Sequence, residues 1–188
     1  MTLRIRKCKA GPDVPDAKSG QPETRDILIV TGTCGVGKSS VCRAWAGSRH
    51  GAAIDCDAFR TWIRDSSLRR ANGYQEPLLA KHAGLLAEDY LTMGLDVAID
   101  NVWTPRGLDL LQDQLAGKGR VRVLWLNCSR DENRRRDSSR SPSDVMGGRV
   151  DELQAELETM RWPEYVIRMD TTALSLEQTV VRVEEFFG

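Results

Sequence analysis

From residue 26 onward, short apolar runs alternate with longer stretches in which apolar residues recur every three or four positions. Ile27-Leu28-Ile29-Val30 is continuous, apolar and mostly β-branched, the pattern of a strand buried on both faces. Ala52–Ile54, Leu95–Ile99, Val121–Leu126 and Tyr165–Met169 repeat it, so five strands are predicted. Helices are predicted between them. The first runs through Val41, Ala44 and Trp45, and the second covers Ala58–Arg64. A longer one opens at Pro77 and carries Leu78, Leu79, His82, Ala83, Leu86 and Tyr90 on one stripe. Leu108, Leu111 and Leu115 mark the next, with Thr104-Pro105 as cap and first-position proline and Gly117 and Gly119 as its stop. Val150, Leu153, Leu157 and Met160 mark another, and Ser175 with Gln178 forms a capping box for a last helix through Leu176, Val180, Val183 and Phe187. Strands alternating with helices predict an α/β fold of three layers, a five-stranded parallel sheet with helices on both faces. Ligands bind at the carboxyl ends of the strands in such sheets.

Composition narrows the organisation. Residues 1–25 are polar and rich in Gly and Pro, and read as a flexible N-terminal arm. Residues 26–188 form one domain, a size that supports a single full core. Lysine plus arginine balance aspartate plus glutamate at 27 each, which argues against nucleic-acid binding by bulk charge. No apolar run reaches the roughly 20 residues of a membrane span, and the first residues lack the apolar core of a signal peptide. Five cysteines without a C-x-x-C pair, and only two histidines, give no zinc or disulfide framework and fit reduced thiols in the cytoplasm.

The strongest motif follows the first strand. Gly32-Thr33-Cys34-Gly35-Val36-Gly37-Lys38-Ser39 matches G-x-x-x-x-G-K-[ST] between a strand and a helix. Its glycines let several N–H groups face one concavity, and the helix N-terminus adds partial positive charge. Lys38 is expected at the β- and γ-phosphates of a bound nucleotide, Ser39 in the shell of Mg²⁺, and Ser40 at the same helix start.

Carboxylates and arginines beyond the other strands suggest phosphoryl transfer. Asp57, at the carboxyl end of a strand expected to neighbour the phosphate loop, is the candidate base for a hydroxyl acceptor, with a helix N-cap as its plainer role. Asp55, two residues earlier and on the same strand face, is the candidate water-mediated partner of Mg²⁺. Asp100 ends the third strand as an acid for metal water or for an acceptor hydroxyl, and Arg60 and Trp103 are expected beside the acceptor. Residues 130–140 hold five arginines. Arg136 and Arg140 first, and Arg134 next, are expected to act on the transferring charge, with Ser138–Ser143 as a lid tip. GTPase motifs are missing after Asp100 and Asn127, no transporter-ATPase signature occurs, and a small phosphotransferase is left. Two rival readings remain: a nucleoside, nucleotide-sugar or polynucleotide kinase, and a nucleotide-binding switch with little catalysis.

On these residues the chain resembles the small P-loop kinases of metabolites, such as shikimate and gluconate kinases and, closest, chloramphenicol phosphotransferase. Asp55-Cys56-Asp57 resembles the D-x-D of shikimate-type kinases. Val97–Trp103 resembles the third-strand segment of the chloramphenicol enzyme, and Arg136 and Arg140 fall where its lid arginines would. Tyr165–Thr172, ending Asp170-Thr171-Thr172, resembles its fifth strand and adenine loop. The resemblance implies a P-loop NTPase fold with a short Arg-rich lid, ATP and Mg²⁺ as cofactors, and a small hydroxylated molecule as acceptor. It places Gly32, Thr33, Cys34, Gly35, Val36 and Gly37 with Lys38, Ser39, Ser40 and Arg136 at the nucleotide, and Asp170, Thr171 and Thr172 near its base. No substrate signature of the shikimate type occurs between residues 58 and 90.

Overall fold

A computed structural model describes residues 24–65, 67, 72–142 and 145–188, with side chains of 72–74 excepted. Nearly all of the arm lies outside the described residues, as do the side chain of Tyr74 and Ser143 of the lid tip. The strands are β1 (Asp26–Thr31), β2 (Gly51–Asp55), β3 (Asp96–Asp100), β4 (Arg120–Asn127) and β5 (Val166–Asp170). The helices among the described residues are α1 (Lys38–Ser48), α2 (Cys56–Trp62), α3 (Asn72–Thr92), α4 (Pro105–Leu115), α5 (Arg130–Ser138), α6 (Arg149–Thr159) and α7 (Leu176–Glu184). None is long and apolar enough to cross a membrane.

All five strands are parallel, in the order β2-β3-β1-β4-β5. The fold is thus the α/β three-layer arrangement that the strand–helix alternation predicts. Alternation along β1 divides the core. Ile27 and Ile29 pack with α2, α3, α4 and α6 on one face, through Phe59, Leu79, Leu108, Leu111 and Leu157. Leu28 and Val30 pack with α1 and α7 on the other, through Val41, Trp45, Val183 and Phe187. Thr104 caps α4 through Gly107 N, with Pro105 at its start, and Ser175 and Gln178 close a capping box on α7.

Three local expectations change. The second helix begins at Cys56 rather than Ala58, because Asp55 takes the N-cap position and accepts from Asp57 N. The strand therefore ends before Asp57, and Asp55 and Asp57 share no strand face. The long helix begins at Asn72, with Pro77 inside it in the second turn, where the missing N–H removes one helical hydrogen bond. Finally β3, not β2, lies beside β1, with Val30 in register with Asp100. The strand nearest the phosphate loop is thus the one that ends in Asp100.

At the amino ends of the strands, Asp26 is buried and pairs with Arg49 and Arg120, while Arg49 also reaches Asp96 and Glu184. This network ties the end of α1 and α7 under the sheet, at the end opposite the phosphate loop.

Candidate active site

The chain leaves β1 at Thr31 and turns through the glycines into α1. Gly35 has φ 82° and Gly37 φ 102°, both in the left-handed region. Gly37 caps α1 without a side chain, so the first N–H groups of the helix are open to an anion. Gly35 is constrained twice. A Cβ there would stand 2.7 Å from Asn133 Oδ1 and 3.2 Å from Asp137 Cβ. Gly35→Ala is expected to destabilise the protein by about 1–2 kcal/mol and to push α5 off the loop. Gly47→Ala on α1, where nothing lies within 4 Å of the added carbon, is expected to stabilise it. Thermal unfolding of the two variants side by side checks the opposite signs.

Lys38 Nζ donates to the Thr33 carbonyl at 2.8 Å, holding the side chain over the loop. Ser39 Oγ donates to Asp100 Oδ2 at 2.6 Å. Asp100 is 4% exposed, and burial pushes its carboxyl up to about 6. Asp55 and Asp57 add repulsion in the same direction, against the Ser39 hydroxyl and Lys38. Asp55 is the register partner of Asp100 across β2 and β3. Asp57, in the first turn of α2, has a side chain 73% exposed and 3.6 Å from Arg60 Nε. Arg60 Nη2 in turn donates to Oδ1 of the buried Asn101 at 3.2 Å.

These groups converge on a cavity of about 350 Å³. It is lined by the phosphate-loop and helix-start residues Cys34, Gly35, Gly37, Lys38, Ser39 and Ser40, by Arg43, Asp57 and Asp100, and by Arg136, Ser139 and Arg140 from α5 and beyond. The other predicted residues stand apart from it. Gly32 and Val36 pack beneath the loop, and buried Thr33 accepts from Asn133 Nδ2 at 2.7 Å. Asp55 and Arg60 lie behind Asp57. Trp103, expected as a wall of an acceptor pocket, is 0% exposed and sits in the core with Phe59 and Leu79. Two hydrogen bonds of 3.0 Å between its backbone and the Thr31 hydroxyl pull it under the sheet end.

The arginines divide. Arg136 is committed to Glu132, to the Val36 carbonyl at 3.1 Å, and to the Thr171 hydroxyl and carbonyl at 3.0 and 2.8 Å. It fastens α5 to both the phosphate loop and the loop after β5. Arg135 and Arg136 together hold Glu132 down to about 2. Among the described residues, the Arg140 side chain has one polar contact, at 3.5 Å to Asp137. Arg134 pairs with Asp151 at the surface. Asp170 accepts from the amide and hydroxyl of Thr172, which lowers its carboxyl, and Ser129 N donates to Thr172 Oγ1. Asp170–Thr172 thus forms a built turn beside Arg136, outside the cavity lining.

Sequence reasoning missed Asn133 and Asp137, which seat α5 on the loop. They are four apart on one helix face but polar, so no hydrophobic stripe marks the buried side of α5. Buried Asp137 also accepts from Met146 N and Gly147 N, tying down the base of the lid loop. Arg43, which lines the cavity, was also missed, and the signal that marks it is its spacing, four residues after Ser39 on a helix.

The fold and loop define the P-loop class of nucleotide-binding α/β proteins. A model of the AAA domain family matches residues 27–161, and the chain belongs to that family. No curated protein compared matches significantly. Among solved structures, a sugar kinase from Janibacter is 18% identical with a TM-score of 0.68, over 88% of this chain and 95% of its own. A gluconokinase from Sinorhizobium meliloti is 20% identical with a TM-score of 0.63, over 87% and 96%. An APS kinase from Mycobacterium tuberculosis is 18% identical with a TM-score of 0.58, over 88% and 99%. The chain therefore has the fold of small P-loop kinases.

Proposed function

We propose that the protein is a phosphotransferase that moves the γ-phosphoryl group of ATP, with Mg²⁺, to a hydroxyl of a small metabolite or antibiotic. One observation carries the reading: the phosphate loop, the Ser39–Asp100 pair, Asp57 and Arg140 surround a single cavity. The names of the similar structures, a sugar kinase and a gluconokinase, support a hydroxyl acceptor.

The donor set fits the two cofactors. A hydroxyl and a carboxylate in contact at the loop are hard oxygen ligands suited to Mg²⁺. Among the described residues no group of three or more His, Cys, Asp and Glu side chains converges on an ion, so the rest of the shell falls to phosphate oxygens and water. Ser39 and Asp100 would hold the metal, with Asp55 behind Asp100. Gly35, Gly37 and the N-terminus of α1 would hold the phosphates, with Thr171 and Thr172 toward the base. When bound, Mg²⁺ neutralises phosphate charge and ATP supplies the transferred group.

The chain's own residues do the remaining work. Lys38 is already poised over the loop and stabilises charge on the phosphate oxygens. Asp57 accepts the proton of the acceptor hydroxyl and holds that oxygen toward the cavity, with Arg60 fixing its carboxylate from behind. Arg140 closes over the transferring group, and Arg136 holds the lid helix against the loop. Four free cysteines among the described residues suit a reducing cytosol.

ATP consumption measured across polyols, aldonic acids, aminoglycosides, chloramphenicol, nucleosides and 5′-hydroxyl oligonucleotides tests the reading. Acceptor-dependent ADP release is expected for one small-molecule class, and it should vanish in Lys38→Ala while the fold survives. Turnover unchanged in Lys38→Ala would remove the phosphate-loop assignment.

A further inference from the structure

We infer that Arg43 is a further anion-contact residue of this site, its guanidinium binding the polyphosphate of the nucleotide. The inference rests on the reading of the cavity as an ATP site. Arg43 lies four residues after Ser39 and three after Ser40, so its Cα is about 6 Å farther along α1 and on the face between them. Helical side chains lean toward the amino end, which carries a long arginine back over those two serines. All three residues line the cavity.

The other cations explain why Arg43 matters. Lys38 is anchored on Thr33, and Arg136 is engaged by Glu132, Val36 and Thr171. Arg140 reaches the cavity from the segment after α5, a different element from α1. Arg43 makes no hydrogen bond or ion pair with any described residue, and it is exposed. A guanidinium with its donors uncommitted, at the edge of a phosphate site, is matched by phosphate oxygens, which accept its planar fork in pairs. It complements the lid from a rigid helix and is in place before any lid movement.

Calorimetric titration of the full chain with a non-hydrolysable ATP analogue, inorganic tripolyphosphate and adenosine tests this. Arg43→Gln is expected to weaken the analogue and tripolyphosphate by about ten- to hundredfold and to leave adenosine unchanged. Arg43→Lys, which keeps the charge without the fork, is expected to lose less. Unfolding temperature without ligand should stay near the wild-type value, because the exposed side chain makes no hydrogen bond or ion pair with any described residue. Equal affinities in wild type and Arg43→Gln, with binding lost in Lys38→Ala, would overturn the inference and keep the ATP site. A raised KM for the acceptor that the ADP-release panel identifies, with unchanged analogue affinity, would place the guanidinium at the acceptor and overturn it too. Wild-type protein that binds neither phosphate ligand would overturn both the inference and the proposed function.

Discussion

Asp57→Asn is expected to keep ATP binding and the fold while losing on the order of 10²–10⁴ in turnover, the usual contribution of a general base. The low end applies if the transition state is loose and the proton leaves late. The fold should tolerate the change because Asp55, not Asp57, caps α2. The Asp57 side chain is 73% exposed, and its one charged contact among the described residues is the 3.6 Å approach of Arg60. Asp55→Asn makes the contrast. Asparagine still caps the helix, so stability should hold, and the loss should show as a raised Mg²⁺ requirement. Rates measured against ATP, acceptor and Mg²⁺ separate the two. Wild-type turnover in Asp57→Asn would move the base to Asp100.

Asp100→Asn is expected to abolish most activity and yet stabilise the fold. The folded carboxyl titrates at about 6 against an ordinary 3.8, so the native state holds its proton more tightly than the unfolded chain. Stability from this group is therefore greatest below pH 3.8 and falls as pH rises to about 6, where the loss is complete. The difference amounts to about 3 kcal/mol at neutral pH. Asparagine keeps an oxygen to accept from Ser39 and carries no charge to bury. Denaturant unfolding at pH 4.5 and 7.5 should show the wild type losing stability between them and the variant losing much less. Parallel pH profiles would mean that Asp100 is hydrated in solution. A destabilising charge kept at a loop serine is the trade expected of a functional carboxylate.

The strands were legible because each is a short apolar run, buried on both faces in the central β1 and β3 and partly exposed in the edge strands β2 and β5, and the phosphate loop because its glycines are needed for backbone reasons that hold in any context. Thr104-Pro105 and Ser175–Gln178 were legible for the same cause: caps act within one turn of chain. Strand order was not, since nothing local tells β2 from β3 as the neighbour of β1. That order sets Asp100 directly beside Ser39 and moves Asp57 one strand farther out. Trp103 failed as a pocket wall because its backbone pairs with Thr31, 72 residues away. The Arg-rich run was read with Arg136 and Arg140 acting together, and only packing separated those two. Arg136 found acceptors on two other loops, while Arg140 has one long contact among the described residues. Local geometry and hydrophobic period are written residue by residue, so the sequence alone determined the elements, the sheet class and the phosphate loop. Partners distant in the chain meet only when the sheet is assembled, so the tertiary structure decided which carboxylate meets the loop serine, which aromatic is core and which arginines are free to act.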